Sequence, residues 1–225
     1  MALEVKICGL KTAGAVDAAL EAGADLLGFV FFPKSPRHLP LEAAPELLAR
    51  IEGRAGKVAL TVNADDALLA DIIKAYGPDL LQLHGSESPE RVADVRARFG
   101  LPVMKALPVG QKADLLVLPA YAAVADRILF DAKPPKDALL PGGNGHAFDW
   151  NLLTGLDAGR PVMLSGGLDA DNVSQALQTV PVDSVDVSSG VEDAPGVKSP
   201  ERIRAFVAAA RQAAAHSLAL KVQAS

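Results

Sequence analysis

Eight short apolar runs, each followed by a segment with helical periodicity, divide this chain into units of similar length. The run at residues 26–32 contains no charged or polar side chain. A strand without a polar face is typical of a parallel sheet whose faces are covered by helices. The strands are predicted at residues 5–9, 26–32, 57–62, 80–84, 102–107, 127–133, 161–164 and 185–187.

The number and spacing of these units favour a closed barrel. Eight units in 225 residues average about 28 residues each. The whole chain is close in length to a typical (β/α)8 barrel, which has about 250 residues. An open doubly wound sheet is the alternative, but no glycine fingerprint for a dinucleotide follows the first predicted strand. We therefore predict an α/β fold, a single-domain (β/α)8 TIM barrel of eight parallel strands over residues 1–215. Residues 216–225 are predicted to form a C-terminal tail that frays.

The sequence also predicts the starts of several helices and one long loop. Thr12 and Asp171 are predicted to be N-caps. Ser88 and Pro89 have the order of an N-cap followed by a proline in the first turn. The longest irregular stretch, residues 134–147, has the length and glycine content of an active-site lid. An ordinary surface loop is the alternative for this stretch.

Composition argues against several classes of function. A formal charge of −5 without a long basic run argues against nucleic acids and anionic membranes as partners. No apolar stretch approaches the roughly 18 residues of a membrane span, and Glu4 and Lys6 interrupt the first apolar run, unlike a secretory signal. The single cysteine favours a reducing, cytoplasmic compartment. The four histidines show no close metal-ligand spacing, so no metal is predicted.

Cys8, the only cysteine, ends the first predicted strand. Side chains alternate along a strand, so the inner face can be predicted from parity. The pairs predicted to face inward are Lys6 with Cys8, Gln82 with His84, Val103 with Lys105, Leu129 with Asp131, and Asp186 with Ser188. Because active sites of such barrels lie at the carboxyl ends of the strands, Asp131 is predicted to be catalytic. Lys6 and Lys105 could instead have a structural role, as a layer of buried ion pairs to which Glu4 could also belong.

Two turns of small residues follow the last two predicted strands, Ser165-Gly166-Gly167 and Ser188-Ser189-Gly190. Many barrels bind a phosphate group at this position. Glycines let backbone N–H groups approach an anion, a helix N-terminus adds a favourable partial charge, and serine hydroxyls can donate hydrogen bonds. We therefore predict a phosphorylated substrate, with ordinary tight turns as the alternative.

Seven short motifs run in order from one end of the chain to the other. They are KICGL at 6–10, FPKSPR at 32–37, QLHG at 82–85, FD at 130–131, GGNG at 142–145 with FDW at 148–150, LSGGL at 164–168 and DVSSGVE at 186–192. Together they resemble the phosphoribosylanthranilate isomerase family of tryptophan biosynthesis. Two positions depart from the family pattern. Asn144 stands where threonine is usual, which could alter how the loop closes, and Ser165 stands where alanine is common.

The resemblance implies an isomerase that converts N-(5-phosphoribosyl)anthranilate to 1-(2-carboxyphenylamino)-1-deoxyribulose 5-phosphate, an Amadori rearrangement without a metal or organic cofactor. In the family, a general acid protonates the furanose ring oxygen, the ring opens to a Schiff base, and a general base removes the proton at C2′. By position, Asp131 corresponds to the acid, Cys8 to the base and Arg37 to the residue that holds the anthranilate carboxylate. The other substrate-binding residues expected are His84, Gly166, Gly167, Asp186, Ser188, Ser189 and Gly190.

The chemistry of a thiol base adds one expectation about its neighbour. The reference pKa of a cysteine, about 8.5, leaves only a few per cent as thiolate at pH 7. Lys6 on the same face is therefore predicted to lower the pKa of Cys8. The expected partner of the protein is a small-molecule phosphosugar, with no nucleic acid or membrane, and the chain is expected to be a monomer or a homodimer.

Two other functions are compatible with a phosphate-binding barrel. A related phosphosugar barrel, such as the sugar isomerase of the histidine pathway or a pentose-phosphate epimerase, would be expected to have two aspartates in place of Cys8 and Asp131, or metal ligands. A non-catalytic phosphosugar-binding protein is the other alternative. The presence of both Cys8 and Asp131 argues against it, because binding alone requires neither.

Overall fold

Eight parallel strands close into a barrel in which each strand pairs with the next along the chain and β8 pairs with β1. The computed structural model describes residues 3–135, 142–143, 145, 147–180 and 182–223, with side chains described up to residue 216. The strands are β1 (Glu4–Cys8), β2 (Leu26–Phe31), β3 (Gly56–Thr61), β4 (Leu80–Leu83), β5 (Val103–Val109), β6 (Arg127–Ala132), β7 (Val162–Leu164) and β8 (Ser184–Val187). The predicted (β/α)8 barrel is confirmed.

Helices cover the outside of the barrel and connect the strands. They are α1 (Ala13–Glu21), α2 (Ala44–Ile51), α3 (Asp66–Tyr76), α4 (Pro89–Phe99), α5 (Leu118–Ala122), α6 (Val173–Thr179) and α7 (Pro200–Gln223). Between β6 and β7 a 3-10 turn, Trp150–Leu153, takes the place of a longer helix. Helix α7 continues beyond residue 215, and fraying of residues 216–225 stays a prediction. Within the described part of the chain, no helix has the length and apolar character needed to cross a membrane.

Two of the predicted N-caps are confirmed and one is wrong. The side chains of Thr12 and Ser88 each accept a hydrogen bond from the backbone N–H three residues later. Asp171 does not cap α6. Instead, the carboxylate of Asp169 accepts hydrogen bonds from the backbone N–H groups of Asp171 and Asn172. An aspartate placed slightly earlier therefore satisfies the N–H groups at this helix start.

The inside and the outside of the barrel form two separate apolar layers. A large outer cluster lies between the strands and the helices, where Tyr76 of α3 packs against Phe29 and Phe31 of β2 with ring centroids 4.9 and 5.5 Å apart. A small inner cluster fills the barrel below its rim. Its buried members are Val58, Leu80, Met104, Ala106, Leu129 and Met163. This packed interior gives the residues at the carboxyl ends of the strands a rigid base.

Strand β5 turns the opposite residues inward from those predicted. Met104 and Ala106 belong to the inner cluster, whereas Val103 belongs to the outer cluster and Lys105 faces the helices. The ammonium of Lys105 donates to the carbonyl oxygen of Gly85 at 2.7 Å and lies 5.8 Å from the centre of the Tyr121 ring in α5. The prediction failed because β5 is apolar at both parities, so its sequence does not distinguish the two faces.

The charged residues considered for one buried layer lie in three separate ion pairs. The pairs are Lys6 with Asp186 at 2.8 Å, Lys105 with Glu87 at 2.8 Å, and Glu4 with Arg127 at 2.7 Å. The pair of Lys6 and Asp186 lies inside the barrel on two hydrogen-bonded strands, β1 and β8. Lys6 is completely buried, so its charge depends on this partner.

Tyr76 generates a prediction about stability. Its hydroxyl is buried, and among the described residues it has no hydrogen-bond partner. A buried hydroxyl without a partner costs free energy, so Tyr76→Phe should leave the free energy of unfolding unchanged or raise it by up to about 1 kcal/mol. Tyr76→Ala, which also removes the ring from the outer cluster, should lower it by about 3–5 kcal/mol. Urea unfolding followed by circular dichroism measures both. A loss of more than about 1 kcal/mol in Tyr76→Phe would show that the hydroxyl has a partner.

Candidate active site

A cavity of about 820 Å³, including the space at its mouth, opens at the carboxyl ends of the strands. Its wall contains Cys8 from the end of β1, Asp131 from β6 and Asp186 from β8. The other predicted site residues on this wall are Arg37, His84, Gly166, Gly167, Ser188 and Ser189. Gly190 is the one predicted site residue that does not line the cavity. The fold thus brings together residues that the sequence separates by up to about 180 positions, while their roles stay predictions.

Cys8 lies beside a buried ion pair at the base of the cavity. The ammonium of Lys6 donates to Oδ1 of Asp186 at 2.8 Å, and the hydroxyl of Ser165 donates to Oδ2 at 3.0 Å. A Cβ atom at Gly28 would lie 2.9 Å from both the Cys8 Sγ and the Lys6 Nζ, so thiol and ammonium meet above this glycine. Ser165, which departs from the usual alanine, is therefore part of the network that holds Asp186.

Opposing effects act on the thiol. Burial raises the pKa of Cys8, because desolvation disfavours the thiolate. The charge and hydrogen bond of Lys6 act in the other direction, as predicted, but burial outweighs them and the pKa is raised. Burial acts to lower the pKa of Lys6, yet the charges of Asp186 and Cys8 outweigh it and raise this pKa, so the ammonium stays charged at neutral pH. The site therefore holds a thiol that ionises with difficulty but whose thiolate has a cation beside it.

Asp131 is held from both sides of its carboxylate. Oδ1 accepts a hydrogen bond from the backbone N–H of Ala132 at 2.9 Å, and Oδ2 lies 3.1 Å from Nε2 of His84. The other ring nitrogen of His84, Nδ1, lies 3.0 Å from the amide nitrogen of Gln82. A Cβ atom at Gly142 would lie 2.5 Å from His84 Nε2 and 2.6 Å from Asp131 Oδ2, so only a glycine backbone fits against this contact.

Arg37 is buried and faces a carboxylate of the protein itself. Its Nε and Nη2 atoms donate to the two oxygens of Glu192, each at 2.8 Å, and Nη2 also donates to the carbonyl of Gly143 at 3.2 Å. Glu192 accepts a further bond from Lys198 at 2.8 Å. Burial acts to raise the pKa of Glu192, but the hydrogen bonds and charges of Arg37 and Lys198 outweigh it and lower this pKa. Glu192 is therefore an anion that fixes the orientation of the guanidinium.

Lys198 connects this ion pair to the turn after β8. Its ammonium donates to the carbonyl oxygen of Ser188 at 2.8 Å and lies 3.3 Å from the hydroxyl of the same residue. Lys198 is nearly fully buried, and burial lowers its pKa more than Glu192 raises it. A short hairpin of β9 (Glu192–Ala194) and β10 (Val197–Lys198) brings this ammonium back to Ser188.

Three residues of these networks, Gln82, Glu192 and Lys198, have no role among those predicted from the sequence. Gln82 and Glu192 lie inside the motifs QLHG and DVSSGVE, so their positions were a signal that could have been used. Lys198 lies outside every motif, and the hairpin that positions it was not predicted. The predicted lid at residues 134–147 falls largely outside the described residues, as does Asn144.

The two turns of small residues form one end of the cavity. Gly166 has a φ of +86°, and a Cβ atom there would lie 2.4 Å from the backbone nitrogen of Ala132. A Cβ atom at Gly190 would lie 2.0 Å from the carbonyl oxygen of Leu168. The turn after β8 therefore packs directly against the backbone of the turn after β7 at this glycine. Ser188 and Ser189 face the cavity. Among the residues that the structure describes, no group of three or more His, Cys, Asp or Glu side chains could hold a metal ion.

Comparison with known proteins matches residues 5–209 to the family model of N-(5′-phosphoribosyl)anthranilate (PRA) isomerase. A protein of Azorhizobium caulinodans named N-(5′-phosphoribosyl)anthranilate isomerase is 70% identical over 217 residues, which cover 96% of this chain and 95% of that protein.

Solved structures give the same result. A structure of monomers of the dimeric phosphoribosylanthranilate isomerase of Thermotoga maritima is 33% identical with a TM-score of 0.80, over 93% of this chain and 99% of that one. A phosphoribosyl anthranilate isomerase solved in complex with reduced 1-(o-carboxyphenylamino)-1-deoxyribulose 5-phosphate is 32% identical with a TM-score of 0.81, over the same two shares.

The charges around Cys8 predict opposite shifts of its pKa in two variants. Lys6→Met removes the ammonium that stabilises the thiolate, so the pKa of Cys8 should rise. Asp186→Asn removes a negative charge that disfavours the thiolate, and the thiolate of Cys8 then replaces the carboxylate as the anion beside Lys6, so the pKa of Cys8 should fall. Alkylation of the single cysteine by iodoacetamide, measured as a function of pH, reports both shifts.

The double variant Lys6→Met/Asp186→Asn is the matched control for this titration. It leaves neither charge of the buried pair without a partner, so it separates loss of the fold from loss of the charge. Shifts of the same sign in both single variants would contradict the opposing roles of the two charges.

Proposed function

The chain belongs to the N-(5′-phosphoribosyl)anthranilate isomerase family, and from that premise we propose that Asp131 is the general acid and Cys8 the general base of its reaction. The enzyme isomerises N-(5-phosphoribosyl)anthranilate to the corresponding 1-deoxyribulose 5-phosphate in tryptophan biosynthesis. The observation that carries the proposal is that Asp131 and Cys8, on β6 and β1, line the same cavity.

Asp131 begins the reaction by giving its proton to the furanose ring oxygen. The bond between that oxygen and C1′ then breaks, and the electron pair of the anthranilate nitrogen forms the C=N bond of a protonated Schiff base. The negative charge left on Asp131 is stabilised by the backbone N–H of Ala132 and by His84, which lie against its two oxygens. These contacts are in place before the reaction and require no rearrangement when the charge develops.

Cys8 completes the isomerisation by removing the proton at C2′. The electrons of the C–H bond form the C1′–C2′ double bond of an enolamine, which tautomerises to the ketone. Because burial raises the pKa of Cys8, its thiolate is a strong base once formed. The fully buried ammonium of Lys6, which lies beside the thiol, stabilises that thiolate.

Arg37 is proposed to bind the anthranilate carboxylate. Glu192 occupies Nε and Nη2 of its guanidinium, which directs the Nη1 edge to the substrate. Lys198 holds Glu192 from the other side, so the orientation of Arg37 does not depend on substrate. A planar guanidinium held in this way is already in position for a planar carboxylate.

The turns after β7 and β8 are proposed to bind the phosphate through Gly166, Gly167, Ser188 and Ser189, supported by their position on the cavity wall. Asp186, which lines the cavity and pairs with Lys6, is also proposed to bind the substrate.

The wider setting of the enzyme is also proposed. We place it in the cytoplasm, as a barrel over residues 1–215 with a small-molecule phosphosugar and not nucleic acid as its partner. We propose a monomer or a homodimer, a choice supported by the dimeric relative from Thermotoga maritima.

Loss of anthranilate fluorescence tests the two catalytic roles. Enzyme is added to freshly prepared phosphoribosylanthranilate, and turnover is followed for wild type, Cys8→Ala and Asp131→Asn. Each variant should lose a factor of about 10² or more in kcat, as expected for a missing general acid or base. Asp71→Asn, the same chemical change on the exposed face of α3, should keep wild-type turnover. Binding of the reduced product analogue without turnover by folded wild-type protein would instead identify a phosphosugar-binding protein.

The role of Arg37 predicts a change in KM. Arg37→Lys keeps the charge but loses the planar fork, so KM should rise by about ten-fold or more while kcat changes less. Arg202→Lys, at an exposed position of α7, is the matched control and should change neither constant. An unchanged KM in Arg37→Lys would show that the anthranilate carboxylate binds elsewhere.

A further inference from the structure

Gln82 is a buried amide in the barrel interior for which the proposed mechanism has no use. Its exposed fraction is 0%, and it lies on β4 with its side chain directed to the cavity. Its amide nitrogen is 3.0 Å from Nδ1 of His84, while its Oε1, also buried, has no hydrogen-bond partner among the described residues. Burial of an amide with its oxygen unpaired is unfavourable. The contact of the amide nitrogen with His84 must therefore account for the presence of Gln82 at this position.

Donors and acceptors follow one order from Gln82 to Asp131. Once Asp131 is ionised, its carboxylate has only acceptors, so the Nε2 of His84 that lies 3.1 Å from Oδ2 must then carry the hydrogen of this bond. A neutral imidazole with hydrogen on Nε2 has a lone pair on Nδ1. Only the NH₂ group of the Gln82 amide can donate to that lone pair, and it is the group that faces it. The hydrogen bond to Asp131 thus requires one tautomer of His84, and that tautomer requires the NH₂ group of Gln82 to face Nδ1.

We propose that Gln82 is a positioning residue that fixes the tautomer of His84, so that the ring donates its Nε2 hydrogen to Asp131. This inference rests on the proposed role of Asp131 as the general acid. When Asp131 gives its proton to the ring oxygen of the substrate, its carboxylate becomes charged. A hydrogen bond to a charged acceptor is stronger than one to a neutral acid, so the Nε2 hydrogen stabilises the product of this step more than its reactant.

The position of Gly142 strengthens this effect. Its backbone lies so close to His84 Nε2 and Asp131 Oδ2 that no side chain fits there. Backbone therefore covers one side of the contact, and both residues are largely buried. A hydrogen bond in such surroundings is stronger than one in water. Gln82 acts on the acid without touching the substrate, by setting which ring nitrogen carries the hydrogen.

The tautomer can be observed directly by ¹⁵N NMR. Protonated and unprotonated imidazole nitrogens differ clearly in chemical shift, and His84→Asn identifies the His84 signals among those of the four histidines. In wild-type enzyme near neutral pH, Nε2 should be protonated and Nδ1 unprotonated. A His84 ring with hydrogen on Nδ1 alone, or on both nitrogens, would overturn the proposal.

Two substitutions of Gln82 separate tautomer from packing. Gln82→Glu replaces the NH₂ donor by a carboxylate that, when ionised, only accepts. The hydrogen of His84 should then move from Nε2 to Nδ1, Asp131 should lose its donor, and kcat should fall about ten-fold or more, with KM within about two-fold. Gln82→Met has a similar volume and neither donor nor acceptor, so it should give mixed tautomers and a smaller loss in kcat. Gln178→Glu, at an exposed position of α6, should behave as wild type. Equal losses in both Gln82 variants with an unchanged His84 tautomer would show a packing role alone.

A double variant distinguishes this inference from the role of Asp131. In the Asp131→Asn background, Gln82→Glu should cause no further loss in kcat, because its effect passes through the acid. A full further loss would overturn the inference and leave the acid role intact. If Asp131→Asn were as active as wild type, the acid role itself would fail, and this inference with it.

Discussion

The buried ion pair between Lys6 and Asp186 is the interaction on which the active site depends. The two residues are register partners on β1 and β8, the strands whose pairing closes the barrel. Without its partner, either charge would be buried at a cost of several kcal/mol. The pair also determines the surroundings of the thiol, because the Lys6 ammonium and the Cys8 Sγ meet above Gly28. Closure of the barrel and preparation of the proposed base therefore use the same contact.

The other charged groups of the cavity are held in the same manner, by partners that substrate does not supply. Arg37 is fixed by Glu192, and Asp131 by His84 and the backbone. These networks lie at the ends of different strands and converge on the cavity. Each group can therefore be oriented before substrate arrives, which is the arrangement that electrostatic catalysis requires. The cost is a set of buried charges, and every one of those described above has a partner.

Sequence patterns predicted the fold well where one pattern excluded the others. The eight strands were located to within about two residues at each end, because continuous apolar runs alternate with helical stripes. Predictions failed where two readings fitted equally. Both parities of β5 are apolar, so Lys105 was placed on the wrong face, and two aspartates near α6 could have capped it. The hairpin that carries Lys198 has only five strand residues, too few for a recognisable period.

The sequence by itself determined that the chain is a (β/α)8 barrel and that Cys8 and Asp131 stand at strand ends, since both follow from local periodicity and position. The tertiary structure decided how these groups are tuned. Lys6 and Asp186 are 180 residues apart, and Arg37 and Glu192 are 155 apart, so no local pattern shows that they pair. The net rise in the pKa of Cys8 likewise depends on how deeply the fold buries it, which outweighs the neighbouring ammonium. Pairing and burial are properties of the closed barrel and not of any one segment.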